Sequence, residues 1–337
     1  MTTIGQRLSI LRKLLCSLIC LSACLLNRHS LWAGFLPEGA FTNSAAGSTA
    51  ASFLKLPTSA RAASLADSIN YSASDPAAGI QAPSLFNGAP ERHQFALTSA
   101  LLPDNIVQAS AVYGYPIGAK KIVLAVHEII QPALTLYDAQ VNRVGEFRPS
   151  DSAVMIAYAS QESACPWGIG LGYEYSRIGP NLSGSGVYAN LSGNIPFGYF
   201  NDPNLSLAAA IMNLGPASQW AGRSVPLPLR GQIEMSYKMG DLMFLTLDLI
   251  TPADHAPYGA ASIEWKLPFG EPPQPNENPR SGLAVRLGAT SKTKPDSFAG
   301  RMSFGLGLYL GSLTLDAGVA PFGNFGFFPK VGINFNF

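Results

Sequence analysis

Hydrolysis or group transfer needs an activated Ser, Thr or Cys beside a positioned base, so the histidines set the first test. Beyond residue 33 these are His93, His127 and His255. None stands in a nucleophile motif, and no Gly-x-Ser-x-Gly occurs. A metal site needs clustered His, Cys or carboxylate ligands. The adjacent pair His127-Glu128 would point to opposite faces of a strand instead. Cys16, Cys20 and Cys24 lie near the start, which leaves Cys165 unable to form an intramolecular disulfide or a Cys-rich metal site. These residue types predict no enzyme, no cofactor and no metal.

The charged residues that remain are ordered. Glu174, Glu234, Lys238, Asp248, Glu264, Lys266, Arg286 and Asp316 each occupy the polar position of a segment in which apolar residues alternate with polar or small ones. Ile263, Trp265 and Leu267 alternate with Glu264 and Lys266; Leu313, Leu315, Ala317 and Val319 alternate with Thr314, Asp316 and Gly318. Period two puts each set on one face of a strand. Clear segments lie near 168–175, 232–238, 261–267, 283–289, 302–310, 312–319 and 330–337. Weaker ones cover 93–101, 106–116, 120–136, 147–162, 186–195, 205–214 and 241–250, for about fourteen strands. That exceeds what an open twisted sheet usually carries. It fits an all-β fold, a transmembrane antiparallel outer-membrane β-barrel with its charges in the lumen. Those charges would line a polar conduit, anchor a segment inside it, or pair with one another. Tyr173, Tyr175, Tyr237 and Trp265 fall on the outward face, as candidates for interfacial aromatic girdles.

Composition agrees. Of 337 residues 47% are hydrophobic and 13% charged, the latter about half the share typical of soluble domains. Disordered chains show the opposite bias. The balance of 22 basic to 21 acidic residues offers no excess to neutralise phosphates, which argues against nucleic acid as a partner. Arg7, Arg12 and Lys13 precede an apolar run over 14–26, the pattern of a signal peptide, assigned to residues 1–33 with cleavage near Ala33. Lipid attachment at Cys24 is the alternative. Removing Arg7, Arg12, Lys13 and Arg28 leaves 18 basic against 21 acidic residues, a net −3. Residues 34–92 read as an irregular lead-in and plug, helical over 59–74, and 93–337 as the barrel. With Phe337 in the periplasm, the periplasmic turns fall at 116–119, 164–166, 196–204, 239–240, 268–281 and 311–312. Longer outward loops are expected at 179–185, 215–226 and 291–298. The Pro-rich 268–281 stretch is long for its side; it removes a strand from the count or marks a periplasmic contact.

Phe53-Leu54-Lys55-Leu56-Pro57 followed by Ala60-Arg61-Ala62 is similar to the mature N-terminus of the PorV/PorQ-like outer-membrane proteins. Leu65, Ala73, Asp75, Ala78 and Pro83 continue the likeness. The polar stretch 138–147, Asn213-Leu214-Gly215-Pro216, the run 226–230 and Ala320-Pro321-Phe322-Gly323 extend it. The family's Gly-Gly after the helix is replaced by Ala66-Asp67, and its Asn-Pro-Ala-Gly by Ala82-Pro83-Ser84-Leu85. The resemblance implies a FadL-like barrel of fourteen strands whose plug or partner-binding segment includes Phe53, Leu54, Lys55, Pro57, Arg61, Asp75 and Pro83. It also implies a non-enzymatic role in binding or presenting exported proteins, as in type IX secretion. The alternatives are a FadL-like conduit for small hydrophobic molecules, suggested by Phe53, Leu54, Leu56, Leu65 and Ile69, and a purely structural barrel. Phe335 and the terminal Phe337 resemble the signal read by the barrel-assembly machinery. Expected partners are outer-membrane lipid, that machinery, and exported proteins or secretion-system components.

Overall fold

A computed structural model describes residues 34–69, 75–88, 91–240, 242–270, 281–292 and 299–337. The expected leader, with its Cys24 alternative, and most of the Pro-rich turn lie outside the described residues. No described helix is long and apolar enough to cross a membrane; the crossing is made by strands.

Numbered in chain order, the strands are β1 (Gln94–Leu102), β2 (Ile106–Ile117), β3 (Lys120–Ile130), β4 (Leu134–Tyr137), β5 (Arg143–Phe147), β6 (Ser150–Ser160), β7 (Trp167–Gly179), β8 (Leu182–Ile195) and β9 (Leu205–Leu214). There follow β10 (Ser218–Trp220), β11 (Arg223–Val225), β12 (Arg230–Met239), β13 (Met243–Pro252), β14 (Tyr258–Pro268), β15 (Ser281–Thr290), β16 (Met302–Leu310), β17 (Leu313–Pro321) and β18 (Phe327–Asn336). All but β4, β5, β10 and β11 pair antiparallel, each with its neighbour along the chain, and β18 pairs with β1. The result is a closed barrel of fourteen strands, in which no edge is left to hydrogen-bond with lipid. Alternation sorts the two faces: in β14 Ala260, Ser262, Glu264 and Lys266 are buried, while Trp265 is 47% exposed. Tyr173, Tyr175, Tyr237 and Leu306 also point outward. A chain that turns an apolar band outward and its charges inward is built for the bacterial outer membrane.

The rim that carries the C-terminus has short turns, at 118–119 and 311–312 among others. The opposite rim bears two extra hairpins, β4–β5 and β10–β11. Two loop expectations change. β7 and β8 run on past the predicted 179–185 loop and leave only Pro180 and Asn181 between them, because their pairing extends to Gly179 and Leu182. The 215–226 loop folds β10–β11 against the upper part of β8. There Asn213, at φ 58°, bulges out of β9 and shifts its register against β8, so that Leu191 faces Ile211 but Ala189 faces Leu214.

The chain before β1 fills the bore. Residues 34–55 lie at the opposite rim: the Phe41 amide donates to the Ala253 carbonyl (2.8 Å) and the Ala50 amide to that of Pro226 (2.8 Å). Helix α1 (Ala60–Ser64) follows, capped by the Ser59 hydroxyl, which accepts from the Ala62 amide. It is far shorter than the 59–74 helix its alanines predict. Ala66 (φ 55°) and Asp67 (φ 67°) adopt left-handed backbone and turn the chain toward β12. Residues 75–88 then descend to the C-terminal rim, where the Asn87 amide group donates to the carbonyls of Ser160 and Trp167.

Inward glycines seat this plug. A Cβ at Gly305 would stand 2.3 Å from Ser64 Cβ, at Gly318 2.6 Å from the Ala60 carbonyl oxygen, and at Gly288 2.5 Å from the Ala66 nitrogen. Across the bore, a Cβ at Gly168 would meet the Pro83 carbonyl carbon at 2.5 Å. The wall is stripped to backbone where the plug's own backbone touches it.

Candidate functional site

Above the plug, at the opposite rim, the bore widens into a cavity of about 610 Å³, within the range of small-molecule sites. Its apolar side comes from Leu102, Ile106 and Ile129 on β1–β3 and from Ala320 and Phe328 on β17–β18. The loop between β17 and β18 adds Phe322 and Phe325, whose rings pack 6.0 Å apart. The floor is the plug itself: Phe53, Leu56 and Ala63. The other side, from β14 to β16, is polar, with Tyr258, Thr290, Lys292, Arg301 and Ser303. A smaller niche of about 120 Å³ shares Lys55, Tyr258 and Lys292 with it and adds Arg230, Asp254 and His255.

Lys55 fixes the floor to the rim by an ion pair with Asp254, which also accepts from the Thr49 hydroxyl (2.9 Å). Burial works against the Asp254 charge, but the Lys55 ammonium outweighs it and holds the carboxyl below its ordinary value. Beneath Phe53, Lys330 donates to the Pro57 carbonyl (2.6 Å) and to Gln108 (2.8 Å), and the Gln108 amide lies 2.9 Å from His127 Nε2. His127 is buried and Glu128 faces out, as the alternation requires.

Arg61 carries α1 into a buried chain of alternating charge. It donates to both Glu264 oxygens (3.0 and 2.7 Å). Arg286 donates to Glu264 Oε1 (2.8 Å) and to Asp316 Oδ1 (2.6 Å). Each charge has an opposite partner, which is the condition for leaving water. Asp75 accepts from the Ser59 hydroxyl (2.5 Å) and the Ala78 amide (3.3 Å). Burial raises its pKa, with Arg61 and Ser59 pulling the other way.

The predicted residues therefore separate by place. Phe53, Leu54, Arg61 and Asp75 are buried within the bore, with Pro57 and Pro83 on the same segment, while Lys55 is partly exposed at the rim. Glu234, which accepts from Ser68 (2.7 Å), and Glu264 touch the plug directly. Arg286 and Asp316 act through Glu264, and Asp248 through Gln232 (2.8 Å). Glu174 stands apart and accepts from Ser218 (2.6 Å), which holds the β10–β11 hairpin. Lys266 lies 4.7 Å from the Phe244 ring, and Lys238 is half-buried near the C-terminal rim. Phe335 and Phe337 sit on the outer face, their rings 5.1 Å apart. Sequence reasoning missed Arg230, which pairs with Asp67, and also Lys330 and Asp254. Lys330 stands at a position whose alternation marked it as inward, and Arg230 lies two residues before the segment where the alternation was read.

A closed fourteen-strand barrel with a plug below an apolar cavity defines a class of outer-membrane proteins. Two solved structures are similar to this chain in overall fold. The toluene transporter TbuX of Ralstonia pickettii superposes with a TM-score of 0.50 at 10% identity, over 82% of this chain and 97% of that one. The toluene transporter TodX of Pseudomonas putida gives 0.50 at 10%, over 83% and 95%. The fold is thus FadL-like, at an identity that carries the architecture alone. No protein-family model matches the sequence, and no curated protein matches it either. Neither structure bears on the PorV/PorQ likeness of the sequence motifs.

Proposed function

We propose that this protein is a conduit that admits small hydrophobic molecules through the outer membrane. The observation that carries the reading is the 610 Å³ cavity, apolar along β1–β3 and β17–β18 and floored by the plug. A water-filled pore has no use for a phenylalanine-lined vestibule, whereas an apolar solute gains roughly 25 cal/mol for each Å² it buries there. The toluene transporters of similar fold support the same class of solute. Equilibrium binding of 1-N-phenylnaphthylamine to the purified barrel tests it. Saturable binding that weakens at least tenfold in Leu102→Glu is the expected result, and a fluorescence titration with no saturation would reject the conduit. The second reading, a carrier that presents exported proteins, draws on the motif order over 53–83 and 320–323. Recovery of an exported protein with the tagged barrel would favour it.

A further inference from the structure

The plug does not meet the barrel wall everywhere in the same way. On β15, β16, β17 and β7 it is bedded on Gly288, Gly305, Gly318 and Gly168, with further hydrogen bonds that involve Ser303 on β16 and Lys330 on β18. Along β12–β14 its described contacts run through polar and charged side chains: Asp67 to Arg230 and Gln232, Ser68 to Glu234, and Arg61 to Glu264. Side-chain contacts of this kind can change partners without a backbone shift, whereas a glycine seat opens only if the backbone itself moves. A solute leaving the upper cavity therefore has its easiest way down this arc. Below Glu234 the wall stays polar, with Ser236 and Thr246 bonded to each other (3.2 Å) and Ser206 buried beside them. Asn194 is 3% exposed, and neither atom of its amide has a hydrogen-bond partner within the chain.

At the C-terminal rim the arc ends under a loop. Residues 196–204 join β8 to β9, the longest connection at this rim that is described throughout. The loop is folded on itself: the Gly198 amide donates to the Pro203 carbonyl (3.0 Å), with Gly198 at φ 81°. Its Phe197 ring packs 6.1 Å from that of Phe244, a lumen-facing residue of β13 that is 5% exposed. Lys266 of β14 lies 4.7 Å from the same ring. β8 and β13 are three strand steps apart, about 14 Å along the wall. To reach Phe244, Phe197 must lean inward across the mouths of β9 and β12 rather than stand over its own strand.

We propose that loop 196–204 is the release gate of the barrel and that Phe197, seated on Phe244, is the residue that holds it shut. The gate rests on the conduit reading for its purpose but not for its test, because a closed mouth also blocks ions. Single-channel conductance of the full chain in planar bilayers would be compared for the native protein, Phe197→Ala, Phe244→Ala and the double variant. An aromatic pair of this kind is worth a shift of about two- to tenfold in an open–closed equilibrium. Open probability should rise by that factor in each single variant, and the double variant should gain little more, since both remove one contact. Heat-modifiable migration establishes that each barrel is folded. Unchanged conductance in folded single variants overturns the gate, as does simple additivity in the double variant. Conductance that rises while 1-N-phenylnaphthylamine fails to bind would retain the gate and reject the conduit.

Discussion

Adding one methyl group at Gly168 should free the lower plug while the barrel stays closed. In Gly168→Ala the new Cβ would stand 2.5 Å from the Pro83 carbonyl carbon and 2.7 Å from the Ser84 nitrogen. Relaxed carbon contacts begin near 3.5 Å, so this backbone must retreat by roughly 1 Å. β7 cannot yield instead, because it is paired on both sides, Gly168 to Ala159 on β6 and to Ser192 on β8. Retreat strains the bonds of the Ser84 amide and hydroxyl to the Ser192 hydroxyl (2.7 and 2.8 Å) and those of Asn87 at the rim. Overpacking of this order costs about 1–3 kcal/mol, which multiplies the undocked population of residues 75–88 by about 5 to 150. Limited proteolysis reads that population directly. Cleavage within 75–88 should accelerate, while heat-modifiable migration stays native. Gly145→Ala, where nothing lies within 4 Å, is the control. Equal cleavage rates for Gly168→Ala and the control would refute the idea that inward glycines exist to seat the plug.

Leu306→Arg on the outer face of β16 should lose about 2–4 kcal/mol of stability if the residue lies at the bilayer midplane, measured by denaturant titration in lipid; Leu306 is 54% exposed on the protein itself. Deleting Phe337 should impair assembly. It removes the His93–Phe337 ring stack (5.3 Å) and the paired backbone bonds that extend the β1–β18 seam (2.9 and 3.0 Å), and normal insertion of the truncated chain would count against this role. Acid should release the rim segment 41–55. The Asp254 carboxyl is held below its ordinary 3.8, so its pairing with Lys55 contributes fully above about pH 4 and is lost as pH falls through the lowered value. Asp75 has the opposite sign: its raised value means that its protonated form suits the plug, and that contribution fades as pH rises. Hydrogen exchange followed separately at 41–55 and 75–88 should therefore respond in opposite senses as the solution is acidified.

The barrel was legible in the sequence because its rule is local. A strand that faces lipid on one side and the bore on the other must alternate, and seven neighbouring residues suffice to reveal it. β10 and β11, at three residues each, are too short to alternate, and their segment reads as loop. The plug obeys no such rule. Its helix stops after five residues because Asp67 must reach Arg230, a partner 163 positions away. The inward glycines are visible as a pattern, but what they admit is backbone from residues 60–66 and 83–84, and no spacing connects the two. The lumen charges occupy alternate strand positions for the same local reason as the strands themselves. Their division into plug anchors, a hairpin anchor and the Lys266 seat depends on which segment comes to rest against each.

The position of residues 34–55 constrains how the molecule can be made. They lie at the rim opposite Gln94, where β1 begins, so the chain runs the length of the bore before the wall starts. Polypeptides do not ordinarily thread a finished hole. The sheet must instead curl around a leading segment that is already in place, and the seam between β1 and β18 closes last, like a sleeve buttoned over an arm. Each glycine seat is then a template during assembly as well as a resting place afterwards, and a chain whose plug folds late would be left with an empty sleeve or an unclosed one.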